Sequence, residues 1–261
     1  MEDAATRTRT PPPARARPGG LLLLENDVSI PADVFDLASF RRWARSDDFP
    51  ERGRIDFVAG RVEVDMSPED IGTHNNPKTA ITAALFAEVT VRDLGQLWSD
   101  RVRLSNDAAG LSVEPDALLC LWGTLESGQA SLVPKATGEE GRYVEVEGRA
   151  DLVVEIVSDS SEIKDTERLR RLYHAASVPE YWIVDARSDD LRFTVLRRAG
   201  PGYRTVRPDA TGFARSVVLD RAIRLVRAPA RMKLFNYRLE IRPSGVRAQK
   251  RKRSKRRGRR S

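Results

Sequence analysis

Cysteine and histidine are almost missing from this chain. The single Cys120 excludes an internal disulfide. Two histidines beside it are too few for a Cys/His zinc cluster. No apolar run approaches the roughly 18 residues that a membrane-spanning helix requires. Leu21 to Leu24 is too short for the apolar core of a signal peptide, and the stretch before it lacks that pattern. There is no G-x-S-x-G elbow and no G-x-x-x-x-G-K-[ST] loop, which removes two common schemes for nucleophile display and phosphate binding. Ser158 and Ser160 have no histidine nearby in sequence and read as helix caps. With one thiol and no leader, the cytoplasm is the expected compartment.

Charge is abundant and unevenly placed. The formal net charge is +7, but residues 244 to 261 carry ten Lys/Arg and no acid. Residues 1 to 20 carry four Arg against Glu2 and Asp3. Of 45 basic and 38 acidic residues, 31 and 36 therefore remain between 21 and 243. The body is near −5, so the basicity belongs to the ends and says nothing of a nucleic-acid-binding core. Residues 1–25 form a Pro/Arg-rich segment with little to bury, and 244–261 a polybasic tail; both are expected to be disordered. That leaves one domain over 26–243. The tail residues Lys250, Arg251, Lys252, Arg253, Lys255, Arg256 and Arg257 suit a salt-sensitive phosphate-binding arm, or a solvated tail without a specific role.

Within the body, Asp36 to Ser46 has the spacing of a short amphipathic helix capped by Asp36. Arg54 to Met66 alternates and is split by Ala59-Gly60, which predicts a β-hairpin. Ser67 to Asn76 is a polar loop containing His74, and Pro77 opens a helix running to about Val91. Gln96–Leu104 and Val113–Trp122 read as two strands, the second opening Glu114-Pro115-Asp116. Residues 123–150 are Gly- and Glu-rich and predict a mobile loop. Leu191–Leu196, Tyr203–Val206 and Ser216–Leu219 suggest a closing antiparallel meander, with Ala222–Val226 as one further strand.

The most informative stretch is Asp151 to Asp185. It reads as a strand over Asp151–Val157, a helix over Glu162–Ala176 and a strand from Tyr181, a βαβ-type unit. Glu155 lies inside the first, otherwise apolar strand, where a carboxylate is costly without a partner. A metal is one such partner; an ion pair with Arg101 or Arg103 is another. Asp116 opens a second apolar strand, either as a turn residue after Pro115 or as a ligand. If the two strands are neighbours, both groups enter one cleft, and paired hard carboxylates suit Mg²⁺.

These residues carry a resemblance. VEPDALLCL, DLVVEIVSDSSEIKD and LYHAASVPEYWIVD, in that order, resemble the Uma2 family of the PD-(D/E)XK nuclease superfamily over residues 34 to 220. The resemblance implies an α/β fold with a restriction-endonuclease-like mixed β-sheet core flanked by helices. It implies phosphodiester hydrolysis with Mg²⁺ or Mn²⁺ held by Asp116 and Glu155. It adds Asp56, four residues before Gly60, and His74, after Met66-Ser67-Pro68, as supporting catalytic residues. DNA is the implied partner, a membrane is not, and a homodimer is compatible. The family's lysine falls between Asp165 and Tyr173, where this chain has Leu169. Leucine can neither position water nor stabilise charge. Arg168 or Lys164 is then the candidate replacement, or the site is degenerate. For His74 a loop hydrogen bond, and for Asp56 a cross-strand salt bridge in the hairpin, are the plain structural roles. The alternative functions are an inactive nucleic-acid-binding protein using the polybasic tail and, third, a module that binds another protein.

Overall fold

The computed structural model describes residues 21–24, 28–135 and 139–244. The tail cations Lys250 to Arg257 lie outside these residues. Strand β1 (Leu21–Leu24) pairs antiparallel with β2 (Val28–Pro31). The segment expected to be unstructured to residue 25 therefore includes a strand, because β2 supplies partners for its backbone groups.

Helix α1 (Leu37–Ala44) starts at a capping box. Asp36 Oδ1 accepts from Ser39 N at 2.7 Å, and Ser39 Oγ accepts from Asp36 N at 3.1 Å. Phe40 and Trp43 are its buried face. The predicted hairpin forms as β3 (Arg54–Val58) and β4 (Arg61–Asp65). Ala59 and Gly60 turn it at φ 50° and 81°, the left-handed pair that a two-residue turn needs. Helix α2 (Asn76–Val91) follows with Pro77 in its first turn.

The next segment departs from expectation. Gln96–Leu104 is broken by Asp100 and Arg101, both left-handed at φ 51° and 55°. β5 (Gly95–Ser99) and β6 (Arg103–Asn106) consequently join different sheets. Val113–Trp122 is likewise divided: β7 (Leu111–Val113) and β8 (Ala117–Leu121) flank Glu114-Pro115-Asp116, where proline cannot donate to a ladder. The two crossings lie side by side, with Asp100 N donating to Asp116 O at 3.3 Å.

The described residues of 123–150 form regular elements where a mobile loop is expected. They form α3 (Trp122–Glu126), β9 (Ala130–Pro134) and β10 (Tyr143–Gly148). β10 runs parallel to β6 and antiparallel to β9. Gly148, at the end of β10, sits at φ 111° with a hypothetical Cβ only 2.4 Å from Gln129 O, so this glycine answers to a close backbone approach.

β11 (Leu152–Ile156), α4 (Leu169–Ala175) and β12 (Glu180–Asp185) build the expected unit, with β11 and β12 parallel neighbours. β13 (Arg192–Ala199) and β14 (Gly202–Thr205) extend the same sheet. The meander stops there. β15 (Ala214–Ser216) pairs with β16 (Arg221–Pro229), and β16 with β17 (Phe235–Pro243), in a separate sheet.

The chain is thus mixed α/β with helices flanking its sheets, as expected of the restriction-endonuclease-like class. One six-stranded sheet has the order β4-β3-β7-β6-β10-β9, the other β14-β13-β12-β11-β8-β5. Between them lie Val58, Leu104 and Val113 from the first, Leu118, Val153 and Tyr181 from the second, and Leu169 and Tyr173 of α4. The opposite face of the second sheet packs Leu119, Val154 and Trp182 against Ile81 and Leu85 of α2 and Ile223 and Leu239 of the third sheet.

Candidate active site

Strand alternation aims three carboxylates into the space between the two large sheets. Val153 and Val157 face that space while Leu152, Val154 and Ile156 face away, so Glu155 points in. Leu118 and Cys120 set the same phase for Asp116, and Val58 for Asp56. β8 and β11 are antiparallel neighbours, pairing Ala117 with Val154. Asp56, Asp116 and Glu155 are 2%, 0% and 2% exposed.

Each carboxylate is held by a different element. Asp116 Oδ2 accepts from Ile156 N at 2.7 Å, and its Oδ1 accepts from Arg54 Nη2 at 2.9 Å. Asp56 Oδ1 accepts from Glu114 N at 3.0 Å, and its Oδ2 accepts from Lys164 Nζ at 3.1 Å. Tyr173 Oη donates to Glu155 Oε1 at 2.6 Å. The plain structural alternatives are resolved by these contacts. Asp56 faces Glu63 across the hairpin, so no cross-strand salt bridge forms there. Arg103 is spent on Glu114 at 2.6 Å and Ile55 O at 3.1 Å, not on Glu155.

Two π-helical turns deliver the remaining groups. Ile71–Asn75 carries His74, and Lys164–Arg168 carries Lys164 and Asp165. Such turns insert an extra residue and are frequent at functional sites. The expected helix over Glu162–Ala176 is therefore not one regular helix: Leu169 N donates to Lys164 O, five residues back. Leu169 is fully buried in the apolar cluster with Val58, Tyr173 and Tyr181, and its side chain carries no charge to the carboxylates. Lys164 reaches them instead. Arg168 turns to Glu63 of β4, where the two form an ion pair. Arg168 lines a cavity of about 150 Å³ together with Arg54, Asp56 and Lys164.

His74 lies between two acids. Its Nε2 is 3.6 Å from Asp116 Oδ2 and its Nδ1 is 3.6 Å from Glu69 Oε2. Neither distance makes a hydrogen bond, and the buried Nδ1 has no hydrogen-bond partner among the described residues. One ligand atom each from Glu69, His74 and Asp116 fall within 4.8 Å of one another. An unsatisfied imidazole nitrogen between carboxylate oxygens fits a divalent cation. Lys78, from the first turn of α2, bonds Glu69 at 2.5 Å and Asp100 at 2.8 Å and stands 4.0 Å from Asp116. The cleft over this group has a volume of about 450 Å³ and is lined by Arg54, Glu69, His74, Lys78 and Arg101 among others.

The site's electrostatics follow from burial and crowding. Burial raises Glu155 well above the usual carboxylate range, and Asp165 and Asp116 add to it. Burial also pushes Asp165 up to about 7, against the opposing pull of Lys164 and the Ser161 hydroxyl. Burial lowers the Lys164 pKa, but Asp56 and Glu155 outweigh it and hold that pKa above its ordinary value. Arg54 is stabilised in the same way, by Asp116, Glu155 and Asp56 against its own desolvation. A lysine kept charged is no proton acceptor; it is a fixed positive charge beside the carboxylates.

Sequence reasoning had not singled out Arg54, Glu69 or Lys78. Arg54 was hidden as the first residue of a hairpin strand, and Glu69 and Lys78 sit in a polar loop and an exposed-looking helix start. Their one sequence signal is proximity to Asp56 and His74. Asp165 marked a motif flank; its Oδ1 is buried without a hydrogen-bond partner among the described residues.

Comparison with known proteins identifies a family. The profile of the Uma2 family, described as "Putative restriction endonuclease", matches residues 37–225. No curated protein matches the chain. A crystal structure of "a putative nuclease belonging to DUF820 from Anabaena variabilis" is similar at 15% identity and a TM-score of 0.49, covering 67% of this chain and 86% of that one. With the profile spanning most of the folded body and its motif residues meeting at one site, the chain belongs to the Uma2 family.

Proposed function

We propose that this protein is a divalent-metal-dependent DNA endonuclease whose active site is Asp56, Asp116, Glu155, Lys164 and His74. The observation that carries the reading is the convergence of three buried carboxylates, two on strands and Asp116 just before one, with one ammonium, Lys164, bonded to Asp56. Buried acids at this density are costly for stability alone. Hard oxygens with one imidazole suit Mg²⁺ or Mn²⁺; Asp116, Glu69 and His74 would hold the ion, with Glu155 proposed as a further ligand from the neighbouring strand. A bound ion would activate water and offset charge on the phosphate.

The chain's own residues supply the rest. Arg54 and Ile156 N fix the Asp116 carboxylate. Tyr173 fixes Glu155 from the core side. Lys164 places a positive charge where the pentacovalent phosphate accumulates negative charge. It thereby takes the role that Leu169 cannot, which weighs against a degenerate site. Arg168 borders the same cavity but is paired with Glu63, so its role is to shape the wall. The polybasic tail from Lys250 to Arg257 is proposed to add sequence-independent phosphate contacts.

The test is plasmid cleavage with Mg²⁺ and Mn²⁺, comparing the natural protein with Asp116→Asn, Glu155→Gln and Lys164→Met. Metal-dependent nicking by the natural protein, reduced about 100-fold or more in each variant, supports the assignment. Salt-sensitive DNA binding without any nicking under either metal refutes it in favour of a binding protein.

A further inference from the structure

We propose that the groove beside the acidic cleft is a nucleotide subsite, in which one unpaired base of the substrate strand stacks on Trp98 and Tyr143 while Arg101 holds its phosphate. The inference rests on the nuclease reading, and its test does not depend on cleavage.

The groove has a volume of about 510 Å³, within the roughly 300–1,000 Å³ of small-ligand sites. It is contiguous with the catalytic cleft, since Arg101 and Glu114 line both. Its walls are partly aromatic. Tyr143 is 52% exposed, although a tyrosine of this size is normally packed. It opens β10 just where the register with β9 shifts, between Tyr143 and Glu145. Such irregularities re-aim a side chain away from the ladder. Trp98 rests one side on the core and lines the groove with the other.

The charge of the groove is set by one residue. The acids in its wall are already paired, Glu114 with Arg103 at 2.6 Å and Glu145 with Arg41 at 2.7 Å. Arg101 is exposed and forms no ion pair with any of the described residues. It is held at φ 55°, after Asp100 at φ 51°, at the junction between cleft and groove. Aromatic faces beside a free guanidinium are what single-stranded nucleic acid requires. An apolar peptide would leave Arg101 unmatched. A base inside an intact duplex has its faces covered by its neighbours, so the occupant is an unpaired nucleotide.

The experiment measures binding of the full chain in chelator, where no metal-dependent cleavage occurs. The probes are a single-stranded oligonucleotide bearing 2-aminopurine and a duplex of the same sequence, at salt high enough to suppress non-specific phosphate contacts. Tyr143→Ala and Arg101→Asn are each expected to weaken the single strand about tenfold and leave the duplex within about twofold. Asparagine tolerates the left-handed backbone, so Arg101→Asn removes the charge without new strain. Tyr143→Phe keeps the stacking face and should retain affinity. The natural chain should quench 2-aminopurine, and Tyr143→Ala should not. Unchanged single-strand affinity in both variants, or equal losses for single strand and duplex, overturns the subsite. So does a self-association abolished by Tyr143→Ala while oligonucleotide affinity stays the same. If the stacking losses appear but the natural protein never nicks DNA, the subsite stands and the nuclease reading falls. If Tyr143→Ala nicks normally and binds single strands normally, only the subsite falls.

Discussion

Lys164 Nζ lies 3.1 Å from Asp56 Oδ2, joining the π-helical turn before α4 to the first hairpin across 108 residues of sequence. Around that contact gather the other buried acids, Asp116 and Glu155, and the fixed charge of Arg54. Leu169, where the resemblance implies a lysine, is a core residue, and Lys164 brings an ammonium to Asp56.

This arrangement separates two variants. Lys164→Met should abolish metal-dependent cleavage while leaving DNA affinity nearly unchanged, because the loss falls on the transition state. Leu169→Lys should not raise cleavage. It forces an ammonium into the packing between Val58 and Tyr181 and should lower stability by about 3 kcal/mol. Denaturant titration reads the second effect and a nicking assay the first. Enhanced cleavage by Leu169→Lys would show that position 169, and not Lys164 alone, can supply the cation.

Metal binding should depend on His74 as well as on the acids. Calorimetry with Mn²⁺ is expected to show one site, weakened at least about tenfold by His74→Ala, by Asp116→Asn and by Glu155→Gln. Glu155→Gln retains an acceptor for the Tyr173 hydroxyl, so its fold should survive. Unaltered Mn²⁺ affinity in His74→Ala would confine the ion to the carboxylates.

Removing residues 244–261 takes away ten cations and leaves a body whose formal charge is negative. The truncated protein should bind DNA more weakly at low salt and show a flatter dependence of affinity on salt. Thermal stability should not move. Identical salt slopes for both proteins would remove the tail from any DNA-binding role.

The acid limb of stability should report on Asp209. Its Oδ1 accepts from Thr211 Oγ1 at 2.7 Å, Thr211 N at 2.8 Å and Phe213 N at 3.1 Å. These bonds lower its pKa to about 2. The folded value is depressed, so the stabilisation is complete above the unfolded value of about 3.9 and fades as pH falls toward about 2. Asp209→Asn should therefore be less stable than the natural protein at neutral pH, with the gap closing below about pH 4. A gap that stays constant across that range would mean that the carboxylate's charge contributes nothing there.

Much of this molecule follows from local sequence. The α1 capping box, the Ala59-Gly60 turn, Pro77 at the head of α2 and the apolar strands β8 and β11 are local features, fixed by backbone preference and side-chain period. So was the oddity of Glu155, because an acid in an apolar run is visible without a fold. The order of motifs around Asp116 and Glu155 likewise placed the chain in its family. What only the tertiary structure decided is where chains cross. Asp100-Arg101 and Glu114-Pro115-Asp116 break two apparent strands between sheets, since the strands could pair with partners far away in sequence. Ala130–Pro134 and Tyr143–Gly148 became β9 and β10 because β6 offered β10 a parallel edge, which no local signal encodes. Which basic group approaches the carboxylates was likewise undetermined, as Lys164, Arg168 and Leu169 are close neighbours in sequence. A π-helical turn and the burial of Leu169 among Val58, Tyr173 and Tyr181 select the lysine that reaches Asp56.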